Sequence, residues 1–111
     1  VNYAGYDEKE TPTNAVFAWG FANLKAQSTS VHGYDFAQID AYNCNVFGED
    51  YSIVNIHEGC DAEISNQSTC YVSAPNVEVT LYDSSTAHIP EELKNSVKLE
   101  VKSAGTHLLY Y

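Results

Sequence analysis

Alternation of apolar and polar residues constrains this chain more than any other feature, and it is sharpest between Asn66 and Asp83. There Val77, Val79 and Leu81 point one way from an extended backbone, and Glu78, Thr80 and Tyr82 point the other. A period of two in β-branched and aromatic residues reads as a half-buried strand. Ala74-Pro75-Asn76 forms a turn ahead of it, because proline pre-sets φ and asparagine tolerates turn geometry. Cys70, Tyr71 and Val72 then belong to the preceding strand. The two strands form a compact unit whose apolar face the flanking segments are built to cover.

The same pattern recurs along the chain. In AVFAWGFANLKAQ, Phe17, Trp19 and Phe21 share one face of an extended segment, and Val16, Ala18, Gly20, Ala22 and Leu24 share the other. The smaller face suits burial, and aromatic side chains of this kind belong in a core more often than on a ligand platform. Tyr34 to Tyr42 and Tyr51 to His57 are further alternating strands, followed by Val97 to Val101 and a last apolar strand from Thr106 to Tyr111. The one helix signal lies near residues 90–95, where Pro90 suits a first helical position and Glu91, Glu92 and Lys94 complement the helix dipole. About seven short strands with turn signals between them predict an all-β fold, an antiparallel sandwich or small barrel. With 111 residues, 44% of them hydrophobic, the chain fits a single domain. Residues 1–13, polar, acidic and without a period, read as a loose N-terminal arm, with pinning by Tyr3 and Tyr6 as the alternative; residues 14–111 form the domain.

Charge narrows the function. Fifteen acids against five lysines and no arginine leave a formal net charge of −10. Grip on a phosphate backbone needs Lys and Arg, as does docking on an anionic membrane. Nucleic acid is therefore not an expected partner. Membrane insertion is not expected either, since the longest apolar run, near Ala15 to Ala22, is too short to span a bilayer. Methionine is absent even at position 1, nine tyrosines accompany few lysines, and Asn66-Gln67-Ser68 is a glycosylation sequon at Asn66. Together these predict a secreted, extracellular protein. Three cysteines, Cys44, Cys60 and Cys70, allow one disulfide in any of three pairings with one thiol over. A Cys3His zinc site with His57 is disfavoured, because no pair has the close spacing of structural zinc ligands, and no cofactor is expected.

Two half-repeats can be superposed, the first from Gln38 to Val54 and Ser65 to Tyr82, the second from Tyr82 through Tyr111. Tyr42 and Phe47 have the separation of an aromatic hairpin, Gly48 follows directly, and Cys70 or Ser96 stands where a tying serine would be. This pattern resembles the βγ-crystallin Greek-key family over residues 36–111. The resemblance implies a Cys44–Cys70 bridge in place of the serine tie, with Cys60 spare for an intermolecular disulfide. It also implies calcium ligands at Asn66 and Thr69, and more weakly at Glu91 and Glu92. In size and style the chain is further similar to small secreted microbial (fungal-type) effectors and elicitors.

For chemistry the best candidates are His57 and Glu58, beside Asp61, since a histidine with a carboxylate is the minimum for acid–base work. A small hydrolase or nuclease would use such a pair, but phosphoryl chemistry also needs a positive group that no arginine supplies. Oxygen ligands for calcium, or Trp19 and the tyrosines as a sugar platform, define a binding-module alternative. The apolar terminal strand Leu108-Leu109-Tyr110-Tyr111 would favour self-association if it lies at a sheet edge. The expectation is a secreted, non-enzymatic effector, elicitor or inhibitor that binds another protein and forms a homodimer.

Overall fold

A computed structural model describes residues 16–111 in full and, before them, the backbone of two short strands at residues 2–4 and 8–10. Apart from those strands, the expected N-terminal arm lies outside the described residues. The elements are β1 (Asn2–Ala4), β2 (Glu8–Glu10), β3 (Val16–Trp19), β4 (Asn23–Gln27), β5 (Ser30–Gly33) and β6 (Gln38–Tyr42). Next come β7 (Asn45–Gly48), β8 (Ile53–Ile56), β9 (Asp61–Ile64), β10 (Thr69–Val72) and β11 (Val77–Leu81). The chain continues through β12 (Thr86–Ile89), a 3-10 helix (Glu91–Ser96), β13 (Val97–Val101) and β14 (His107–Tyr110). Odd-numbered strands form one seven-stranded sheet in sequence order and even-numbered strands form a second. Neighbours in both sheets are parallel, as in Val31 opposite Val46 and Ile39 opposite Val54. The fold is a two-sided β-solenoid.

This corrects the expected antiparallel sandwich or barrel and its Greek-key connections. Alternation marks a strand but carries no direction, and the chain turns between the two sheets instead of reversing within one. The corners are left-handed backbone positions: Asp35, Asp50 and Asn66 have φ of 56°, 60° and 57° on one side, and Ser28, Asn43 and Asn76 lie between 53° and 60° on the other. Asn, Asp and Gly tolerate this region best. What reads as one long strand from Val16 to Gln27 is therefore two, broken at Gly20 (φ 65°). Tyr42 and Phe47 lie in different sheets, with the Asn43 corner between them.

Inward side chains stack in rows along the solenoid axis. Val16, Val31, Val46, Ala62, Val79 and Leu99 form one row of the first sheet. In the second sheet Leu24, Ile39, Val54, Cys70, Ala87 and Leu108 form another. Most of these residues are fully buried, and Leu93, Val97 and Leu99 pack against the core from the last coil. Each Val or Ile removed from water contributes about 1.5–3 kcal/mol. The sheets approach closely: a Cβ at Gly33 would lie 2.7 Å from Ile39 Cδ1.

All three cysteines are free and buried in this core, so the expected disulfide is absent. Cys44 and Cys60 occupy successive positions of an inner corner row that also holds Thr29, and Cys70 follows Val54 in its row. The Cys44 and Cys60 thiols donate to the carbonyls of Tyr42 at 3.1 Å and Ala41 at 3.3 Å. Here cysteine acts as a small hydrophobe. Burial pushes each thiol above its ordinary pKa, and Cys70 up to about 12.

Candidate functional site

Inward rows leave little freedom, so chemistry in this fold must come from the outer faces, where parallel in-register pairing brings residues about fifteen apart into contact. On the outer face of the first sheet, one row runs Phe17, His32, Phe47, Glu63, Thr80 and Glu100. His32 is stacked between Phe17 at 4.8 Å and Phe47 at 4.5 Å. The next row includes Trp19, Tyr34, Glu49, Ser65, Tyr82 and Lys102, as the backbone bonds between successive coils show. Trp19 and Phe17 are 41% and 39% exposed. Aromatics expected in the core therefore stand on the surface, because Val16, Ala18, Ala22 and Leu24 fill the interior instead.

Where the aromatic part of this face gives way to acids, a cleft of about 380 Å³ opens. Phe47 and Tyr34 flank it on one side and Tyr82 on the other, with Glu49, Glu63 and Ser65 between. Tyr82 donates its hydroxyl to Glu63 Oε1 at 3.2 Å, and Ser65 donates to the Gly48 carbonyl at 3.3 Å. Burial holds His32 below the ordinary histidine pKa, with Glu49 pulling the other way, which favours a neutral ring at neutral pH. Acid crowding continues beside the cleft: burial first, then the carboxyl of Glu78 alongside, raises the pKa of Asp61. The lysines of the last coil are engaged, Lys98 with Glu78 at 3.3 Å and Lys102 with Glu100 at 2.9 Å.

The sequence candidates are placed elsewhere. His57 faces Asp40 rather than Glu58: its Nε2 lies 2.5 Å from Asp40 Oδ1, and its ring stacks on Tyr42 at 4.0 Å. The pair sits on the outer face of the second sheet, and Glu58 is exposed at the corner that follows. Asn66 and Thr69 lie at the corner between β9 and β10, whereas Glu91 and Glu92 lie in the 3-10 helix on the opposite side of the solenoid. The structure does not bring these four together, and no group of three or more His, Cys, Asp or Glu suited to a metal occurs among the described residues. Leu108, Leu109, Tyr110 and Tyr111 are 36–66% exposed, and β14 stands at the edge of the second sheet with Lys94 Nζ 5.0 Å from the Tyr110 ring. Sequence reasoning missed the cleft because its residues come from four strands and their ends. The fifteen-residue recurrence, which aligns His32 with Phe47 and Tyr34 with Glu49, is the signal that could have found it.

Comparison with family profiles, curated proteins and solved structures gave no match to this chain.

Proposed function

We propose that this chain is a secreted, non-enzymatic binding protein, in the style of an effector, elicitor or inhibitor, whose working surface is the outer face of the first sheet and whose partner is a basic protein. The observation that carries this reading is the in-register display of exposed Phe17 and Trp19 with half-buried His32 and Phe47 beside acidic rows on one face. Aromatic residues are the usual anchors of protein interfaces, and a net charge of −10 steers cationic partners towards such a face. Export is supported by the tyrosine-rich, lysine-poor composition and by a sequon asparagine, Asn66, exposed on a corner.

Selection of a random peptide library on the immobilised chain tests the reading. Lysine- or arginine-rich binders should emerge and should lose binding to a Phe17→Ser/Trp19→Ser variant whose circular dichroism matches wild type. Binders that hold the variant equally well would refute it. Self-association through β14 is a second reading, favoured by its exposed apolar edge position. It predicts a concentration-dependent dimer in sedimentation that Leu109→Lys abolishes; a monomer at all concentrations would remove it.

A further inference from the structure

We infer that the cleft between Phe47 and Tyr82 is a receptor for a primary alkylammonium group, a lysine side chain of the bound partner; this rests on the proposed binding face and assigns the ligand of one site within it. Phe47 has one ring face covered by His32 at an interplanar angle of 12°. Beyond Phe47 its row changes to Glu63, so the aromatic stack ends at the cleft. A cation over a ring face is attracted by the ring quadrupole, and Tyr34 and Tyr82 add aromatic surface around it.

Hydrogen-bonding chemistry then selects the ligand. Two donors of the cleft are already committed, Tyr82 to Glu63 and Ser65 to the Gly48 carbonyl. Of the side chains that line the cleft, Tyr34 and the His32 ring remain to donate, against the carboxylate oxygens of Glu49 and Glu63. A ligand that fits must bring donors, and an ammonium carries three and no acceptor. A sugar hydroxyl needs both kinds of partner. Charge points the same way: no lysine pairs with Glu49 or Glu63 among the described residues, and burial keeps His32 from competing as a cation. The neighbouring lysines, Lys98 and Lys102, are held by Glu78 and Glu100. An extended alkyl chain can lie along the Phe47 edge while its head reaches the carboxylates, the way lysine itself divides between apolar stem and charged tip.

The test is a titration of the isotopically labelled chain followed by amide chemical shifts, with Nα-acetyl-lysine methylamide as probe. The neutral isostere Nα-acetyl-norleucine methylamide and a neutral disaccharide serve as comparison ligands. The lysine probe should shift Phe47, Glu49, Glu63, Ser65 and Tyr82 in a saturable way, and Glu49→Gln/Glu63→Gln should weaken it about tenfold, since charge-assisted hydrogen bonds are roughly twice as strong as neutral ones. Equal shifts from norleucine or the disaccharide, shifts scattered over the acidic surface, or an unaffected Gln variant would each overturn the assignment. If selected peptides bind the Phe17–Trp19 face while the lysine probe leaves the cleft unshifted, the cleft assignment falls and the binding-face reading stands.

Discussion

Replacing Gly59 by alanine should destabilise this solenoid more than the same change at Gly105, although both glycines have left-handed backbone, with φ of 77° and 83°. On neighbouring coils Asn43 and Asn76 hold the equivalent corner with φ of 54° and 60°, so the conformation alone does not demand glycine. Space does. A Cβ on Gly59 would lie 2.7 Å from Asn43 Oδ1 and 3.2 Å from Asn43 Cα. The side-chain oxygen can rotate, at the expense of the 3.3 Å bond from Asn43 Nδ2 to Ser28 Oγ, but the Cα moves only with its whole coil. At Gly105 the nearest atom is Ser84 Oγ at 3.4 Å, an ordinary contact. Left-handed backbone costs a side-chain-bearing residue about 1–2 kcal/mol, and forcing packed groups apart costs about 1–3 kcal/mol. Gly59→Ala should therefore lose about 2–4 kcal/mol and Gly105→Ala about 1–2 kcal/mol. In urea unfolding followed by far-UV circular dichroism, the Gly59→Ala midpoint should fall by about 1–2 M and that of Gly105→Ala by half as much or less. Asparagine separates the causes, because it relieves the backbone penalty and leaves the clash: Gly105→Asn should stay near wild type and Gly59→Asn should not. Equal losses for the two alanine variants would refute the close approach of neighbouring coils at this corner.

Three other outcomes follow from the same structure. Buried thiols with raised pKa values should resist a disulfide reagent in the native state and react fully, three per chain, in denaturant; fast native labelling, or a mass change on reduction, would contradict the free buried cysteines. Ser52 Oγ is buried without a hydrogen-bond partner, whereas Ser68 Oγ donates to the carbonyls of Gly48 and Ser65. Ser52→Ala should then be neutral or stabilising and Ser68→Ala should cost about 0.5–1.5 kcal/mol in calorimetry, with the reverse order excluding this account. His32 has a folded pKa depressed by burial, so as pH falls below its unfolded value of 6.5 the unfolded chain takes up the proton first. Stability should drop through that window and level off below the depressed folded pKa, and His32→Phe should flatten the dependence; an unchanged slope in the variant would place the titration elsewhere.

Much of the strand content was legible in the alternation, and so was the inward face of the first segment, Val16, Ala18, Ala22 and Leu24. Architecture was not, for a reason visible in the numbering. Each corner keeps the phase: Gly20 lies between inward Ala18 and Ala22, Asp35 between Gly33 and Ala37, and Asp50 between Gly48 and Ser52. A period of two thus runs unbroken through a change of sheet, and two strands look like one. The informative signal is longer: VFAWGFANLKAQ, VHGYDFAQIDAY and VFGEDYSIVNIH begin at Val16, Val31 and Val46 and repeat the same inward set, with Gly or Asp at the corner followed by Phe or Tyr. Site chemistry was hidden for the same reason. His57 and Glu58 are neighbours in sequence, but a strand and its corner send them apart, and the carboxylate that reaches His57 belongs to Asp40 on the preceding coil.

The stacking that builds the solenoid also decides what its surface can offer. Phe21, Phe36 and Tyr51 stack at 5.3 and 5.4 Å along one corner, and Tyr71 stacks on His88 at 4.4 Å on the second sheet. Such pairs each add about 0.5–1.5 kcal/mol between coils, and they turn ring faces towards one another and ring edges towards solvent. Within a ladder a ring flanked on both sides is thus largely used up by the fold, and a ring at the end of a stack keeps a face for a partner. At the cleft that ring is Phe47, and the next residue of its row is Glu63 in place of another aromatic. The step from aromatic to acid that interrupts the ladder creates the cleft, so continuing the stack with Glu63→Phe should strengthen the contact between coils while closing the site. A variant that gains thermal stability and loses the lysine probe would tie the two effects to the same side chain; one that gains stability and still binds would show that the carboxylate of Glu63 is not part of the receptor.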